Sequence, residues 1–354
     1  MNDLPWIEKY RPHKIQDLEQ NRDLIEMFAN GSKTHSMGHY LFYGPPGTGK
    51  TSAILAMCRE IFGDHFRKRV IEFNASDDRG IDAVRKKIYR ETKKYVCAIE
   101  DNGKIIPPYK VIILDEADLM TDEAQDALRV IIERYSKVTR FCFICNYISK
   151  ITDAIKSRCM SIFFQRLDDA CTIRKLTDIA GKENMDLSEN IYQTIVDISN
   201  GDMRKAIMIL QNIKYLYDYR RICITPISQL FGKQLKLSGS FVNNSLECKE
   251  ITVQDIHNIT ATVSKDQAKE ILDNVFRCDN IKQLRGIATD ISCQGLPMCN
   301  VMNQIYKALL DSHLSDKDKA SLFLKIREPL SRIKDDANDY LQLLAFLSHI
   351  YAMR

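Results

Sequence analysis

No apolar run in the 354-residue sequence reaches the roughly 18 residues that a membrane-spanning helix needs, so a membrane partner is not expected. The opening residues, MNDLPWIEKYRP, lack the basic-then-apolar layout of a secretory signal, and an intracellular protein is expected. Charge of one sign is scarce. The 51 lysines and arginines nearly balance 47 aspartates and glutamates, and a net charge of +4 is too small to argue for a nucleic-acid partner. A second cysteine pair is also missing. Cys142 and Cys145 have C-x-x-C spacing, but they sit in a strand-like run whose alternation sends them to opposite faces. Zinc or redox chemistry is therefore not expected there, and the odd total of eleven cysteines fits buried thiols in a reducing compartment. What remains is an ordinary soluble composition, 45% hydrophobic and 28% charged, long enough for two or three domains with their own cores.

One stretch carries chemistry at once. Gly44-Pro45-Pro46-Gly47-Thr48-Gly49-Lys50-Thr51 fits G-x-x-x-x-G-K-[ST] in full. It follows a strand-like 39–43 and precedes a helix-like 52–58, the context that the motif requires. Glycines here let backbone N–H groups curl round phosphate oxygens, and the helix N-terminus adds a favourable dipole. Lys50 would reach the β- and γ-phosphates, and Thr51 would offer its hydroxyl to Mg2+. The Ser52 N–H, in the first helical turn, would add a phosphate contact.

Four apolar residues, Val111-Ile112-Ile113-Leu114, read as a strand buried on both faces of a parallel sheet. Asp115 and Glu116 follow at its carboxyl end, where ligands bind in open α/β sheets. Asp115 would hold magnesium and Glu116 would take a proton from an attacking water. A third apolar strand, Phe141 to Cys145, ends in Asn146, whose amide can hydrogen-bond a γ-phosphate or the water beside it.

Four further stretches appear in a recognisable order: W-I-E-K-Y-R-P at 6–12, E-F-N-A-S-D-D-R-G-I at 72–81, S-R-C at 157–159 and G-D-M-R-K-A at 201–206. With the phosphate loop they resemble the small subunits of replication factor C, the eukaryotic and archaeal sliding-clamp loader. The resemblance is strong over about residues 4–215 and general beyond. It implies an AAA+ fold and a ring-like pentamer in which ATP, with Mg2+, sits between subunits. Arg158 then looks like an arginine finger, reaching the γ-phosphate bound by a neighbouring subunit, and Arg204 like a sensor contacting this chain's own ATP. Ile7, Tyr10, Arg11 and Pro12 would pack around the adenine. Two departures stand out. Leu128-Arg129-Val130-Ile131-Ile132-Glu133 has valine where the family's L-R-R-T-M-E has its second arginine, and Glu19-Gln20-Asn21 replaces a small apolar pair before Asn.

Residues 81–94 place Ile81, Val84 and Ile88 at helical spacing with basic residues on the other faces. From the residues alone a solvated basic face explains this equally well. The resemblance turns it into a duplex-tracking helix, with Arg85 and Lys87 as DNA phosphate contacts that position without reading bases. The helix beginning at Thr121 should bury Ala124, Leu128, Ile131 and Tyr135. By resemblance the side holding its N-terminal part would face the clamp.

The expected organisation is α/β: an AAA+ P-loop ATPase domain with a parallel sheet over 1–165, a small helical lid over 166–262, and an all-α collar for oligomerisation over 263–354. An insert near 216–249, centred on 231–240, reads as a surface loop. The reading is a clamp-loader small subunit that uses ATP hydrolysis to open a sliding clamp and load it on primer-template DNA, at the nucleus or another site of replication. The alternative is a structural subunit that binds ATP without turnover and lends Arg158 to its neighbour. An origin-binding or branch-migration motor lacks support, since no DNA-reading module follows the lid.

Overall fold

The structure, a computed structural model, describes residues 4–20, 22–34, 37–75, 81–94, 96–101, 104–224, 251–311 and 315–352. The chain divides into two compact units, Met1–Gln211 and Asn212–Arg354.

In chain order the first unit contains α1 (Trp6–Lys9), α2 (Arg22–Lys33), β1 (Tyr40–Tyr43), α3 (Lys50–Phe62), α4 (Phe66–Arg69), β2 (Val70–Asn74) and α5 (Ile81–Thr92). A hairpin of β3 (Ile99–Asp101) and β4 (Lys104–Ile106) precedes β5 (Lys110–Asp115), α6 (Asp122–Tyr135), β6 (Thr139–Cys145), α7 (Asp153–Lys156) and β7 (Met160–Phe163). The helices α8 (Asp169–Lys182), α9 (Glu189–Ser199) and the start of α10 (Met203–Ile224) complete it. The hairpin is not anticipated from apolar pattern; its signal is Asn102-Gly103, a dipeptide that suits tight hairpin turns.

Five strands form one sheet in the order β2-β5-β6-β1-β7. Every pairing in it is parallel, so helical crossovers must cover both faces. Alternation along the strands feeds two cores. Phe42, Val111, Ile113, Cys142 and Ile144 join Met57 and Phe62 of α3 in one cluster. Leu41, Ile112, Leu114, Phe141, Phe143 and Cys145 join Leu128 of α6 in another. Each such aliphatic or aromatic side chain contributes roughly 1.5–3 kcal/mol by leaving water. Cys142 and Cys145 thus lie in different cores, and burial raises both thiols, that of Cys145 to about 12.

Helix α6 starts at Thr121, whose side chain accepts the Ala124 N–H at 3.4 Å. Ala124, Leu128 and Ile131 are buried as expected, but Tyr135 is only partly so, and Gln125 and Ile132 share the inner face. The apolar stripe drifts round the helix because its repeat is not quite two turns.

All the secondary structure among the described residues of the second unit is helical. It continues α10, then α11 (Val253–Thr260), α12 (Lys265–Arg277), α13 (Ile281–Cys293), α14 (Met298–Leu310), α15 (Asp316–Lys334) and α16 (Asp339–Tyr351). Thr252 caps α11 in a reciprocal box with Asp255, whose carboxylate also pairs with Arg220 at 2.8 Å. Leu272, Val275, Ile305, Phe346 and Leu347 lie in its core. Residues 216–224 extend α10 as helix; the expected loop centred on 231–240 lies outside the described residues.

Candidate functional site

β1 ends at Tyr43 and the chain turns sharply into α3. Gly44 has φ +142° there, and a Cβ would lie 2.2 Å from the Phe164 carbonyl oxygen. At Gly47, φ is +70° and a Cβ would fall 1.7 Å from Asp202 Oδ1. The loop is therefore glycine at these points because of what crowds it. The first turn of α3 opens on the loop with N–H groups that have no partner within the helix. Lys50 Nζ donates to the carbonyls of Gly44 at 2.8 Å and Pro45 at 2.7 Å, and to Asn146 Oδ1 at 3.1 Å. Burial pushes the Lys50 pKa down, with Asp115 opposing. Thr48 closes the loop by donating from Oγ1 to Pro45 O at 2.9 Å.

Opposite the loop, Thr51 Oγ1 donates to Asp115 Oδ2 at 2.9 Å. The other oxygen, Asp115 Oδ1, accepts the Glu116 N–H at 2.9 Å. Glu116 takes the left-handed conformation, with φ +55°, rare for a residue with a side chain. This breaks β5 and turns the chain out of the sheet at the carboxylate. The end of β6 is fixed by Asp118, whose Oδ2 accepts the Asn146 N–H at 3.2 Å and the Tyr147 N–H at 3.3 Å. Sequence reasoning gave Asp118 no role. Nor did it find Gln125, a buried amide that donates to Lys150 O at 3.0 Å and accepts the Thr152 N–H at 2.8 Å.

These groups face one cavity of about 380 Å³ inside the first unit, large enough for a nucleotide-sized ligand. Lys50, Thr51, Ser52, Asp115, Glu116 and Asn146 line it, with Pro46, Gly47, Thr48 and Gly49 of the loop. Gly44 and Pro45 do not; they form the base that receives Lys50. From the N-terminal segment, Ile7, Tyr10, Arg11 and Pro12 close another side. Arg11 Nε donates to Ser52 Oγ at 3.4 Å, while its Nη1 pairs with Glu8 at 3.1 Å. The Lys9 ammonium and the Tyr10 hydroxyl both bond Glu183, strapping the segment to the chain just after α8. From α10, Arg204 lines the cavity, and the neighbouring Met203 N–H donates to Gly47 O at 3.2 Å. Gln20, unremarkable in sequence beyond its departure from the family pattern, donates to Thr48 O at 2.7 Å. Asn74, inside the 72–81 stretch but given no role there, also reaches the wall, as does Lys175, which has no sequence signal.

Arg158 is placed elsewhere. It follows α7, does not line its own chain's cavity, and keeps 32% side-chain exposure. Lys87 is exposed on α5, its Nζ 5.3 Å from the Phe73 ring centroid. The Arg85 side chain and residues 76–80 lie outside the described residues.

The donors suit a nucleotide with a small divalent cation. Hydroxyl and carboxylate oxygens meet at 2.9 Å, the hard set such a cation takes through one or two protein groups. A buried ammonium stands beside them on carbonyls that phosphate oxygens can replace. Sheet, loop, acidic strand end and α10 arginine define a P-loop nucleotide-binding module. Residues 40–167 match the ATPase family associated with various cellular activities (AAA). Residues 174–215 match the RCF1/5-like AAA+ ATPase lid domain, and 263–349 the replication factor C C-terminal domain. A protein of Acanthamoeba polyphaga mimivirus, provisionally named replication factor C small subunit L510, is 52% identical over 98% of this chain and 96% of its own. Replication factor C subunit 4 of Homo sapiens is 36% identical over 98% of this chain and 88% of its own. Subunit 2 of Saccharomyces cerevisiae is 34% identical over 98% and 92%. The chain belongs to the replication factor C small-subunit family. Among solved structures, a Thermotoga maritima RuvB Holliday junction branch migration motor covers 80% of this chain and 85% of its own at 12% identity, with a TM-score of 0.49.

Proposed function

We propose that the chain is an ATP-hydrolysing subunit of a clamp loader. It binds ATP with Mg2+ in the cavity above and turns it over when assembled with other subunits in a ring-like pentamer. That cycle opens a sliding clamp and releases it on primer-template DNA. The observation that carries the reading is the meeting of Lys50, the Thr51–Asp115 pair, Glu116, Asn146 and Arg204 at one cavity. The names of the relatives support the clamp-loader part.

Lys50 exchanges the carbonyls of Gly44 and Pro45 for β- and γ-phosphate oxygens, while the α3 N-terminus receives the rest of the phosphate chain. Thr51 and Asp115 hold Mg2+, which when bound neutralises charge developing on the phosphates. Glu116, turned out of β5 by its left-handed backbone, orients and deprotonates the attacking water, and Asn146 holds the water or the γ-phosphate. Arg204 contacts the same nucleotide, and Ile7, Tyr10, Arg11 and Pro12 enclose the base. Arg158 acts in trans, on the nucleotide of a neighbouring subunit.

In this reading 1–165 form the ATP-binding domain, 166–262 the lid and 263–354 the collar that joins the pentamer. The α5 helix follows DNA through Arg85 and Lys87, and the N-terminal side of α6 faces the clamp. The chain works where DNA is replicated, in a nucleus or another replication site.

Glu116→Gln in the assembled complex tests the chemistry. ATP binding should persist while turnover at this site falls by about a hundredfold. Near-normal turnover would remove Glu116 as the base. An unaltered chain that binds ATP but never hydrolyses it would be a structural subunit lending only Arg158.

A further inference from the structure

In the chain by itself Arg158 is not waiting with its donors free. Its Nε donates to Glu133 Oε1 at 2.8 Å, and Nη2 bonds the same carboxylate. Its Nη1 donates to Ala154 O at 2.8 Å and to Ser157 Oγ at 3.0 Å. All three guanidinium nitrogens are engaged, and the planar fork cannot keep this set while presenting two donors to another ligand. Glu133 comes from the last turns of α6, on the same unit but a different element. Position 130, one turn earlier on the helix, is Val130, so the second arginine of the family pattern is not there to compete for Glu133, and Arg129 is the cation left one turn before it. Val130 is 51% exposed, so it lies open on the surface of α6.

We propose that Glu133 is a positioning residue that latches Arg158 against its own chain, so that the finger leaves more readily for a ligand carrying more negative charge than one carboxylate. A nucleoside triphosphate on the neighbouring subunit meets that condition; a site without nucleotide does not. Glu133 is 52% exposed and the pair is screened by solvent, so the latch is weak enough to open at each encounter. It biases the neighbour's hydrolysis toward a well-formed contact between subunits. The proposal rests on the reading of Arg158 as a finger acting in trans.

The test uses the assembled complex with the neighbour's site as its one active site, read without clamp and DNA. Arg158→Ala should abolish turnover there, by a factor on the order of a thousand. Glu133→Gln, nearly isosteric, should raise turnover about two- to five-fold, the range a half-exposed ion pair can hold back. It should also raise the chain's affinity for its ATP-loaded neighbour. The affinity gain should vanish in the Glu133→Gln/Arg158→Ala double variant, which a merely structural role for Glu133 would not produce. Unchanged thermal unfolding of Glu133→Gln verifies that the fold is intact, and Ser157→Ala should move turnover the same way by a smaller factor. Normal turnover in Arg158→Ala would overturn the finger and the latch together. An inactive Arg158→Ala beside a silent or slowed Glu133→Gln would overturn the latch alone.

Discussion

His39 stands just before β1 with its ring against the β6 strand, where Nδ1 accepts the Phe141 N–H at 3.1 Å. Burial, then the nearby Arg140 charge, lowers its pKa from 6.5 to about 4. Protonation would also cost the ring its acceptor. Between those two values the unfolded chain binds a proton that the folded chain refuses, so stability is lost as pH falls through this window. Going from pH 7 to pH 5 should cost up to about 2 kcal/mol from this group. Urea unfolding of His39→Asn, whose amide oxygen can still accept the Phe141 N–H, should show a flatter dependence over that range. Equal dependence in the two proteins would mean that His39 titrates as it does in water. His39 thus acts at the start of β1, whereas Glu116 at the end of β5 is held by backbone conformation.

At the scale of elements, α5 is the part whose role depends most on its faces. Ile88 and Thr92 are buried, whereas Lys87, Arg90, Lys93 and Lys94 are exposed. Lys94 is partly answered by Glu91 at 2.6 Å, so the basic face is not uniformly free. If the helix follows a duplex, Arg85→Ala with Lys87→Ala should weaken binding to all sequences alike. The slope of log affinity against log salt should flatten by about one per lost phosphate contact. An unchanged slope would turn α5 away from DNA. The pairing of α6 with the segment after β6 through Gln125 is a different kind of element contact. It needs one buried amide to satisfy two backbone groups, and no periodicity announces it.

For the whole molecule, the two units give unfolding no reason to be two-state. The cavity lies entirely within Met1–Gln211. ATP with Mg2+ at a hundred times its Kd should stabilise that unit by about 2.7 kcal/mol. Calorimetry should show one transition moved upward and the transition of Asn212–Arg354 in place. Chelating the metal should reduce the shift, and Lys50→Ala should abolish it. A shift that survives Lys50→Ala would place the nucleotide elsewhere.

The phosphate loop, the acids of β5 and Asn146 after β6 were legible in the sequence. Each is a run of adjacent residues whose backbone geometry follows from a strand, a turn and a helix start, and physics over a few residues suffices to fix them. The burial of β5 on both faces was legible too, and the structure then sorts Val111 and Ile113 from Ile112 and Leu114 by the strand's period of two. Only the tertiary structure decided how that site is held. Gln20 reaches Thr48 across 28 positions, Asp118 reaches Asn146 across 28, Arg158 reaches Glu133 across 25 and Lys9 reaches Glu183 across 174. Glutamine and carboxylates are common anywhere on a surface and carry no local pattern. Parallel crossovers and the return of α8 bring these partners together, and such long-range closure is decided by packing of the whole fold rather than by any stretch of it.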